Sequence, residues 1–279
     1  MKSAHQLVES DSRTDRPVAR RVRQFAESFL RPFGFGVRPV AELETLDRAL
    51  HWSYYWYNAQ KKPDLRERGG FGQIAADTIA QKRTYLNYDR LYTLWQAVSG
   101  LSCDNLALAE VGAYRGGSAR FVAETLRHHG WSNPLYVFDT FEGHAVVDPT
   151  VDGKHKVGKQ FKATSLEKVE RYLRYYDNVQ ITKGDFCQTA TVLDEVGDFW
   201  SVHVDVDVYP VTLFALRYFA NRMVPGGMIV VDDYGFKRTR GAEKAVEEFV
   251  GSRDDYARLH LLTGQAVLIK LAAGSSDAG

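Results

Sequence analysis

The spacing of apolar residues divides the chain near residue 100. From about residue 17 to residue 100, apolar positions recur at a spacing close to 3.6, which is typical of helices. One such helix, over residues 84–100, is predicted to end at Gly100. Residues 1–16 are polar and charged, and they are predicted to form a flexible tail. The pattern therefore predicts an N-terminal helical segment over residues 17–100, placed beside a ligand site or at an oligomer contact.

Beyond residue 101, short apolar runs alternate with helical stretches. The runs predict strands at residues 106–112, 134–139, 178–185, 199–207 and 228–233, and a helix from Val211 to Met223 is expected to stop at 225–227. Two further runs, separated only by Thr263 and Gly264, indicate a hairpin. We therefore expect an α/β domain over residues 101–273 with a mostly parallel sheet and an antiparallel C-terminal hairpin. Ligands of such sheets bind beyond the carboxyl ends of the strands.

Composition narrows the class of protein. The 279 residues carry a net charge of +1, which gives no indication of a nucleic-acid partner or an anionic membrane. No apolar run approaches the roughly 20 residues that span a bilayer, and the N-terminus does not resemble a signal peptide. Cys103 and Cys187 form no metal or redox motif. We expect a cytoplasmic protein.

The loop from Glu110 to Ser118 joins the first strand to a helix. Its glycines are spaced G-x-x-x-G-G, which does not match the G-x-G-x-x-G of dinucleotide sites and so disfavours a dehydrogenase. The start of the Ser118 helix suits one carboxylate of a ligand, and Glu110 suits a cation or hydroxyl groups beside it. A tight turn without a ligand is the alternative.

Acidic residues also follow the second and third strands. Asp139, before Thr140 and Phe141, is placed to bind a ribose diol, although acids also cap ordinary turns. Asp185 and Phe186 suit the amino group and ring of an adenine, or a turn with a buried phenylalanine.

Four aspartates lie at the ends of the fourth and fifth strands. Asp205 and Asp207 are predicted to share one strand face, and Asp232 and Asp233 follow the next strand. Their mutual repulsion favours a divalent cation, and all-oxygen ligands favour Mg²⁺, Mn²⁺ or Ca²⁺ over zinc. The alternative is pairing with basic residues, such as Lys237, Arg238 or Arg240.

Six motifs in order resemble the macrocin O-methyltransferase family, which are class I S-adenosylmethionine-dependent enzymes with a Rossmann-like sheet. They are E-V-G-x-x-x-G-G-S, F-D-T-F-E-G, K-G-D-F, H-V-D-V-D-V-Y-P-V-T, G-G-x-I-V-V-D-D-Y-G and A-V-E-E-F, within residues 85–250. Family members often methylate sugars of antibiotics. Val206, Val211 and His144 with Ala145 depart from the residues that the family commonly has there.

The resemblance implies a role for each candidate residue. Contacts to S-adenosylmethionine would come from Glu110, Gly112, Tyr114, Gly116, Gly117, Ser118, Asp139, Thr140, Phe141, Asp185, Phe186 and Asp205. Mg²⁺ would be held by Asp205, Asp232 and Asp233, and Asp207 resembles the general base. The partner would be a small hydroxylated acceptor, and the protein is expected to be a homo-oligomer.

Some interpretations stay open. His203 is expected to pack in the core, whereas His144 is an alternative base in a loop, 141–165, that is predicted to act as a lid. The aromatic cluster at residues 51–57 suits an acceptor pocket, a subunit contact or ordinary packing. Because Asp205-Val206-Asp207 also reads as a D-x-D motif, a metal-dependent glycosyltransferase is the alternative function, and a non-catalytic binding protein is a third.

Overall fold

The structure, a computed structural model, describes residues 70–100 and 105–272. The predictions for the tail at 1–16, for residues 17–69 and for the aromatic cluster at 51–57 lie outside these residues. The helices and strands, in chain order, are α1 (Phe71–Ala80), α2 (Tyr88–Ser99), β1 (Ala107–Val111), α3 (Gly117–His129), β2 (Leu135–Asp139), α4 (Leu166–Leu173), β3 (Val179–Lys183), α5 (Phe186–Thr189), a 3₁₀ turn (Ala190–Leu193), β4 (Phe199–Val204), α6 (Tyr209–Phe219), β5 (Met223–Val231), α7 (Arg240–Gly251), β6 (Tyr256–His260) and β7 (Ala266–Lys270).

The described strands form one seven-stranded sheet with the order β3-β2-β1-β4-β5-β7-β6. The first five strands are parallel, and β7 pairs antiparallel with both β5 and β6. This confirms the predicted Rossmann-like sheet with a C-terminal hairpin. The chain order reverses at β1, which lies between β2 and β4, so the carboxyl ends of β1 and β4 flank the position where such sheets bind ligands.

Helices cover both faces of the sheet. On one face, a cluster joins Phe71 of α1 and Leu94 of α2 to Phe121 of α3 and to Val230 of β5. On the other face, the aromatic and aliphatic side chains of α6 and α7 pack on β4, with Phe219 against Phe199 at 5.0 Å between ring centroids. The last part of the N-terminal helical segment therefore shares a core with the sheet.

The start of β5 differs from the expectation. The helix predicted over residues 211–223 ends at Phe219, and the residues expected to stop it, Pro225 to Gly227, lie inside β5. The register between β4 and β5 shifts beside them, because Trp200 packs against this part of β5 and donates a hydrogen bond to the carbonyl of Ala97 at 2.7 Å. A proline in a strand is tolerated at such an irregularity.

The end of β4 is also shorter than predicted. The strand stops at Val204, and Asp207 has a φ of 60°, in the left-handed region. The prediction that Asp205 and Asp207 share one strand face is therefore wrong. The two carboxylates still meet at the sheet edge, because the left-handed turn at Asp207 brings its side chain back toward the end of β5.

Candidate active site

A cavity of about 450 Å³ opens at the carboxyl ends of the parallel strands, within the size range of small-molecule sites. Its walls include residues that follow each of the first five strands, from Gly112 after β1 to Asp233 after β5. Residues 83–86, and Arg90 in the first turn of α2, also line the cavity. The cavity thus lies where the parallel sheet was predicted to bind a ligand.

Gly112 lets the loop after β1 press against the end of β4. Its φ is 95°, and a Cβ atom there would lie 2.0 Å from the carbonyl oxygen of Asp205. Only glycine fits this close approach, because a side chain would meet backbone that cannot move aside. The amide of Asp205 also donates to the carbonyl of Val111 at 2.8 Å. The floor of the cavity is therefore fixed by direct backbone packing.

Asp139 ties the first two loops together. Its Oδ2 accepts hydrogen bonds from the amides of Ala113 at 2.9 Å and Tyr114 at 2.7 Å, and its Oδ1 accepts from the amide of Phe141 at 2.6 Å. Burial raises the pKa of Asp139, while these three amides oppose that rise. A carboxylate has about four lone-pair positions, so Asp139 keeps capacity for a ligand hydroxyl.

Ten of the predicted site residues line the cavity and five do not. Those that line it are Gly112, Tyr114, Ser118, Asp139, Thr140, Asp185, Phe186, Asp205, Asp207 and Asp233. Among the others, Gly116 packs on Val169 and Gly117 packs under the backbone of Arg83, so their lack of a side chain serves the packing of the protein itself. Phe141 is buried in the core, and Glu110 and Asp232 are fully buried beneath the cavity.

Asp185 and Phe186 form the turn with a buried phenylalanine that was one interpretation of their motif, and both also line the cavity. Asp185 caps α5 by accepting a hydrogen bond from the amide of Cys187 at 3.1 Å. The ring of Phe186 stacks on Phe219 at 5.5 Å and meets the edge of Phe138 at 4.9 Å. The phenylalanine is thus a core residue that also forms a wall of the cavity.

Glu110 and His203 form a pair in the interior. They are neighbours in register on β1 and β4, and Oε1 of Glu110 lies 2.9 Å from Nδ1 of His203. Burial lowers the pKa of His203, but the bond to Glu110 outweighs it, so the net pKa is raised. As expected, His203 packs below the site instead of facing the cavity.

Three aspartates converge where β4 and β5 end. One carboxylate oxygen from each of Asp205, Asp232 and Asp233 lies within 4.8 Å of the others. Burial raises the pKa of Asp205 well above its ordinary value, and the charge of Asp233 raises it further. Oδ2 of Asp233 is buried and has no hydrogen-bond partner among the described residues. Three carboxylates this close together carry more negative charge than a single cationic neighbour balances, which favours a further positive charge at this position.

Asp232 is the member of the cluster that has a cationic partner. Its Oδ1 accepts from Nε of Arg90 at 3.0 Å and from Nε2 of Gln265 at 2.8 Å, and Arg90 also forms an ion pair with Oδ2. Asp232 therefore has a basic partner, as the alternative raised by the sequence allowed, and this partner comes from α2. Sequence spacing gave no signal for Arg90, which precedes Asp232 by 142 residues.

Asp207 faces both the acid cluster and a pair of histidines. Burial raises its pKa well above the ordinary value, and neighbouring Asp233 adds to the rise. Its Oδ2 lies 4.0 Å from Nε2 of His144, which is 3.0 Å from Nδ1 of His155. Burial lowers the pKa of His144 to about 4, so this imidazole is neutral near pH 7.

The loop between β2 and α4 is held over the cavity by buried contacts. Asp152 is buried and accepts hydrogen bonds from the amides of Tyr209 at 2.8 Å and Asp148 at 2.7 Å. A Cβ atom at Gly241 would lie 1.8 Å from Oδ1 of Asp152, so α7 must present a glycine there. The sequence analysis did not single out Asp152, because an acid in a polar loop has no distinctive spacing.

The fold and the position of this cavity are those expected of a class I methyltransferase. The sequence profile of the macrocin-O-methyltransferase (TylF) family matches residues 46–269 of this chain. Because the match covers most of the chain, the chain belongs to this family, as the sequence motifs indicated. It is an S-adenosylmethionine-dependent O-methyltransferase, and the glycosyltransferase interpretation of Asp205-Val206-Asp207 does not hold.

Two named relatives are O-methyltransferases. The chain is 31% identical over 184 residues to 8-demethyl-8-(2,3-dimethoxy-alpha-L-rhamnosyl)-tetracenomycin-C 4'-O-methyltransferase of Streptomyces olivaceus, covering 61% of this chain and 69% of the relative. It is 28% identical over 170 residues to demethyldecarbamoylnovobiocin O-methyltransferase of Streptomyces niveus, covering 57% and 64%. The solved structure of the O-methyltransferase NovP has a TM-score of 0.56 at 23% identity, over 68% of this chain and 83% of that one, and shows the shared fold.

No helix among the described residues is both long and apolar enough to cross a lipid bilayer.

Proposed function

We propose that the protein transfers the methyl group of S-adenosylmethionine to a hydroxyl of a small natural product, such as a sugar of a glycosylated antibiotic, with the help of Mg²⁺. The observation that carries this proposal is the acid cluster beside the Gly112 loop, where Arg90 pairs with Asp232 but Oδ2 of Asp233 is buried without a partner among the described residues. The activities of the named relatives support a natural-product acceptor. We also expect the protein to act in the cytoplasm as a homo-oligomer.

The cofactor is proposed to lie across the carboxyl ends of β1, β2 and β3. The first amides of α3 have no side-chain cap, and Ser118 faces the cavity, so this end suits the methionine carboxylate. The free lone pairs of Asp139 suit the ribose hydroxyls. Asp185 and Phe186 border the remaining space, which suits the adenine.

A divalent cation fits the residues at the ends of β4 and β5. Asp205, Asp232 and Asp233 would hold it, and the unpartnered Oδ2 of Asp233 is the clearest ligand atom. When bound, such an ion lowers the pKa of an acceptor hydroxyl and orients it. The donor set contains only carboxylate oxygens, which favours Mg²⁺. Arg90 balances part of the charge of Asp232 and so leaves the other two acids to balance the ion.

Asp207 is proposed to take the proton from the acceptor hydroxyl. A general base works best when its pKa approaches the working pH, and burial beside Asp233 moves Asp207 in that direction. Its left-handed backbone holds the carboxylate over the cavity, and strained residues of this kind are frequent at functional sites. His144 lies 4.0 Å from Oδ2 of Asp207, and as a neutral imidazole it can orient this carboxylate without competing for the proton.

The test is methyl transfer from labelled S-adenosylmethionine to hydroxylated glycosides, with Mg²⁺ and then with EDTA. We expect transfer with Mg²⁺, its loss in EDTA and its return when Mg²⁺ is restored. Asp233→Asn should abolish the response to Mg²⁺, while the exposed control Asp254→Asn should keep it. Transfer that proceeds equally in EDTA would reject the role of the metal.

A further inference from the structure

A second concavity, of about 380 Å³, lies behind the cofactor cavity and shares Arg83 with it. It is lined by Gln81, Lys82, Arg83, Arg115, Ala163, Thr164 and Lys168. We refer to these residues as the basic pocket. Four of the seven are cationic, and none is acidic. The catalytic scheme proposed above uses none of the four.

The four cations have no carboxylate partner among the residues that the structure describes. Arg83 donates to the carbonyl of Arg115 at 2.8 Å and to that of Lys168 at 3.4 Å, and its guanidinium lies 4.0 Å above the ring of Tyr172. Arg115 donates from Nε to the carbonyl of Ala163 at 3.2 Å. These bonds to carbonyls fix the guanidinium groups in place but leave their charges uncompensated.

The electrostatic environment records this lack of compensation. Burial lowers the pKa of Arg83, Tyr172 opposes this lowering, and the nearby positive charge of Arg115 adds to it. Thr164 Oγ1 is buried at the same concavity and has no hydrogen-bond partner among the described residues. A hydroxyl donor beside four positive charges is a set of groups that an oxyanion would satisfy.

The backbone conformation of Lys82, in the wall of the basic pocket, is also unusual. Its φ is 54°, a left-handed conformation at the end of α1 where glycine is the usual residue. A non-glycine residue there costs stability, so a charged side chain at this position needs a reason beyond ending the helix. Its place in the wall of the basic pocket supplies one.

We propose that the basic pocket binds a phosphate group carried by the acceptor. Planar guanidinium groups and lysines together suit phosphate, and a doubly charged group balances four cations better than one carboxylate does. The pocket shares Arg83 with the cofactor cavity, and Tyr114 and Phe161 of that cavity are close in sequence to Arg115 and Ala163. The assignment to the acceptor rests on the proposed function, whereas phosphate binding itself does not.

The exposed ring of Tyr85 offers a surface along which an acceptor can extend from the cofactor cavity to the basic pocket. It stacks on Tyr114 at 5.5 Å and meets Phe161 edge-on at 6.3 Å. All three rings line the cofactor cavity on the side of residues 83–86. An acceptor whose sugar lies along these rings could place its phosphate in the basic pocket and a hydroxyl near Asp207.

The first experiment measures binding of inorganic phosphate to the protein saturated with S-adenosylhomocysteine, by calorimetric titration. Wild type should bind, and Lys168→Gln should weaken binding about tenfold, as expected for the loss of one charge-assisted bond. Arg171→Gln, which removes a charge from the exposed side of the same helix, should change it less than twofold. Equal weakening by both variants, or no binding to wild type, would overturn the proposal.

The variant Lys82→Gly separates a loss of phosphate binding from a loss of folding. Glycine suits the left-handed backbone, so this variant should unfold at the same or a higher denaturant concentration while phosphate binding weakens. Unchanged phosphate binding in a stably folded Lys82→Gly protein would contradict the assignment of this lysine to the site.

The second experiment separates a free anion from a phosphate on an acceptor. Glucose 1-phosphate and glucose serve as probes, again with S-adenosylhomocysteine bound. We expect the sugar phosphate to bind at least as tightly as inorganic phosphate and to lose affinity in Lys168→Gln, and glucose alone to bind far more weakly. Binding of inorganic phosphate together with exclusion of the sugar phosphate would overturn the acceptor assignment. Either result is independent of whether methyl transfer occurs.

Discussion

The carboxylates in the two halves of the cavity differ in how many backbone amides donate hydrogen bonds to them. In the half formed by β1 and β2, Asp139 accepts three backbone hydrogen bonds, all from residues within 26 positions. In the half formed by β4 and β5, Asp205, Asp207 and Asp233 receive no hydrogen bond from a backbone amide of the described chain. Their charges are left facing one another across the end of the sheet.

The difference shows which half is complete without a ligand. A carboxylate that accepts several amides is satisfied by the protein itself, whereas a group of buried carboxylates without such donors needs a counter-charge. The carboxylate of the first half is therefore satisfied by the protein itself, and the second half is where we propose that a cation binds. The same substitution should have opposite consequences in the two halves.

The largest expected effect is on the rate of methyl transfer when Asp207 is replaced. Asp207→Asn should lower kcat by about 10²–10⁴-fold, because a positioned general base contributes about that much. Affinity for S-adenosylhomocysteine should stay within a factor of about two, since the amide keeps the shape of the side chain. Steady-state kinetics and a ligand titration measure the two quantities. Full activity in this variant would remove Asp207 from the mechanism.

Arg90 should have the next largest effect, on stability. Arg90→Gln leaves Asp232 buried without its cation, which should cost about 3 kcal/mol of unfolding free energy in chemical denaturation. Adding Asp232→Asn to this variant should recover a large part of that loss. A loss no larger than that of the exposed control Arg174→Gln would show that the pair contributes little.

His144 should make stability depend on pH. Its folded pKa of about 4 lies below the ordinary 6.5, so its contribution is complete above pH 6.5 and is lost as the pH falls toward 4. The difference in unfolding free energy between wild type and His144→Gln should therefore shrink by on the order of 2 kcal/mol over that range. A difference that is constant with pH would place His144 in a solvated environment.

The smallest expected effects are changes in unfolding free energy, and they compare the two halves of the cavity directly. Asp139→Asn turns an amide NH₂ toward backbone donors and should lower the unfolding free energy by about 1–2 kcal/mol. Asp205→Asn removes a repelling charge and, measured in EDTA, should raise it slightly. Denaturation of the two variants side by side gives the comparison. Equal destabilisation by both would mean that the halves do not differ.

The sequence predicted the sheet and the positions of its ligand loops because those features depend on local patterns. Apolar runs mark the strands, and Gly112 and Asp139 lie at strand ends where their roles are set by neighbouring residues. The predicted strand over 199–207 failed at its end, because alternation of Val and Asp looks extended while the backbone turns left-handed at Asp207. Local composition does not distinguish these two conformations.

Long-range pairings could not be read from the chain. Arg90 and Gln265 reach Asp232 from a helix before the sheet and from the last hairpin, at separations of 142 and 33 residues. The pairing of Glu110 with His203 depends on the register of β1 against β4. Such contacts follow from how elements pack, and packing has no short sequence signature.

Titration of Mn²⁺ into the protein saturated with S-adenosylhomocysteine, followed by electron spin resonance, probes the ends of β4 and β5 most directly. One ion should bind per chain, Mg²⁺ should displace it, and Asp233→Asn should abolish binding while Asp254→Asn leaves it intact. If wild type takes up no Mn²⁺, or if Asp233→Asn binds it as tightly as wild type does, the assignment of a cation to these aspartates is wrong.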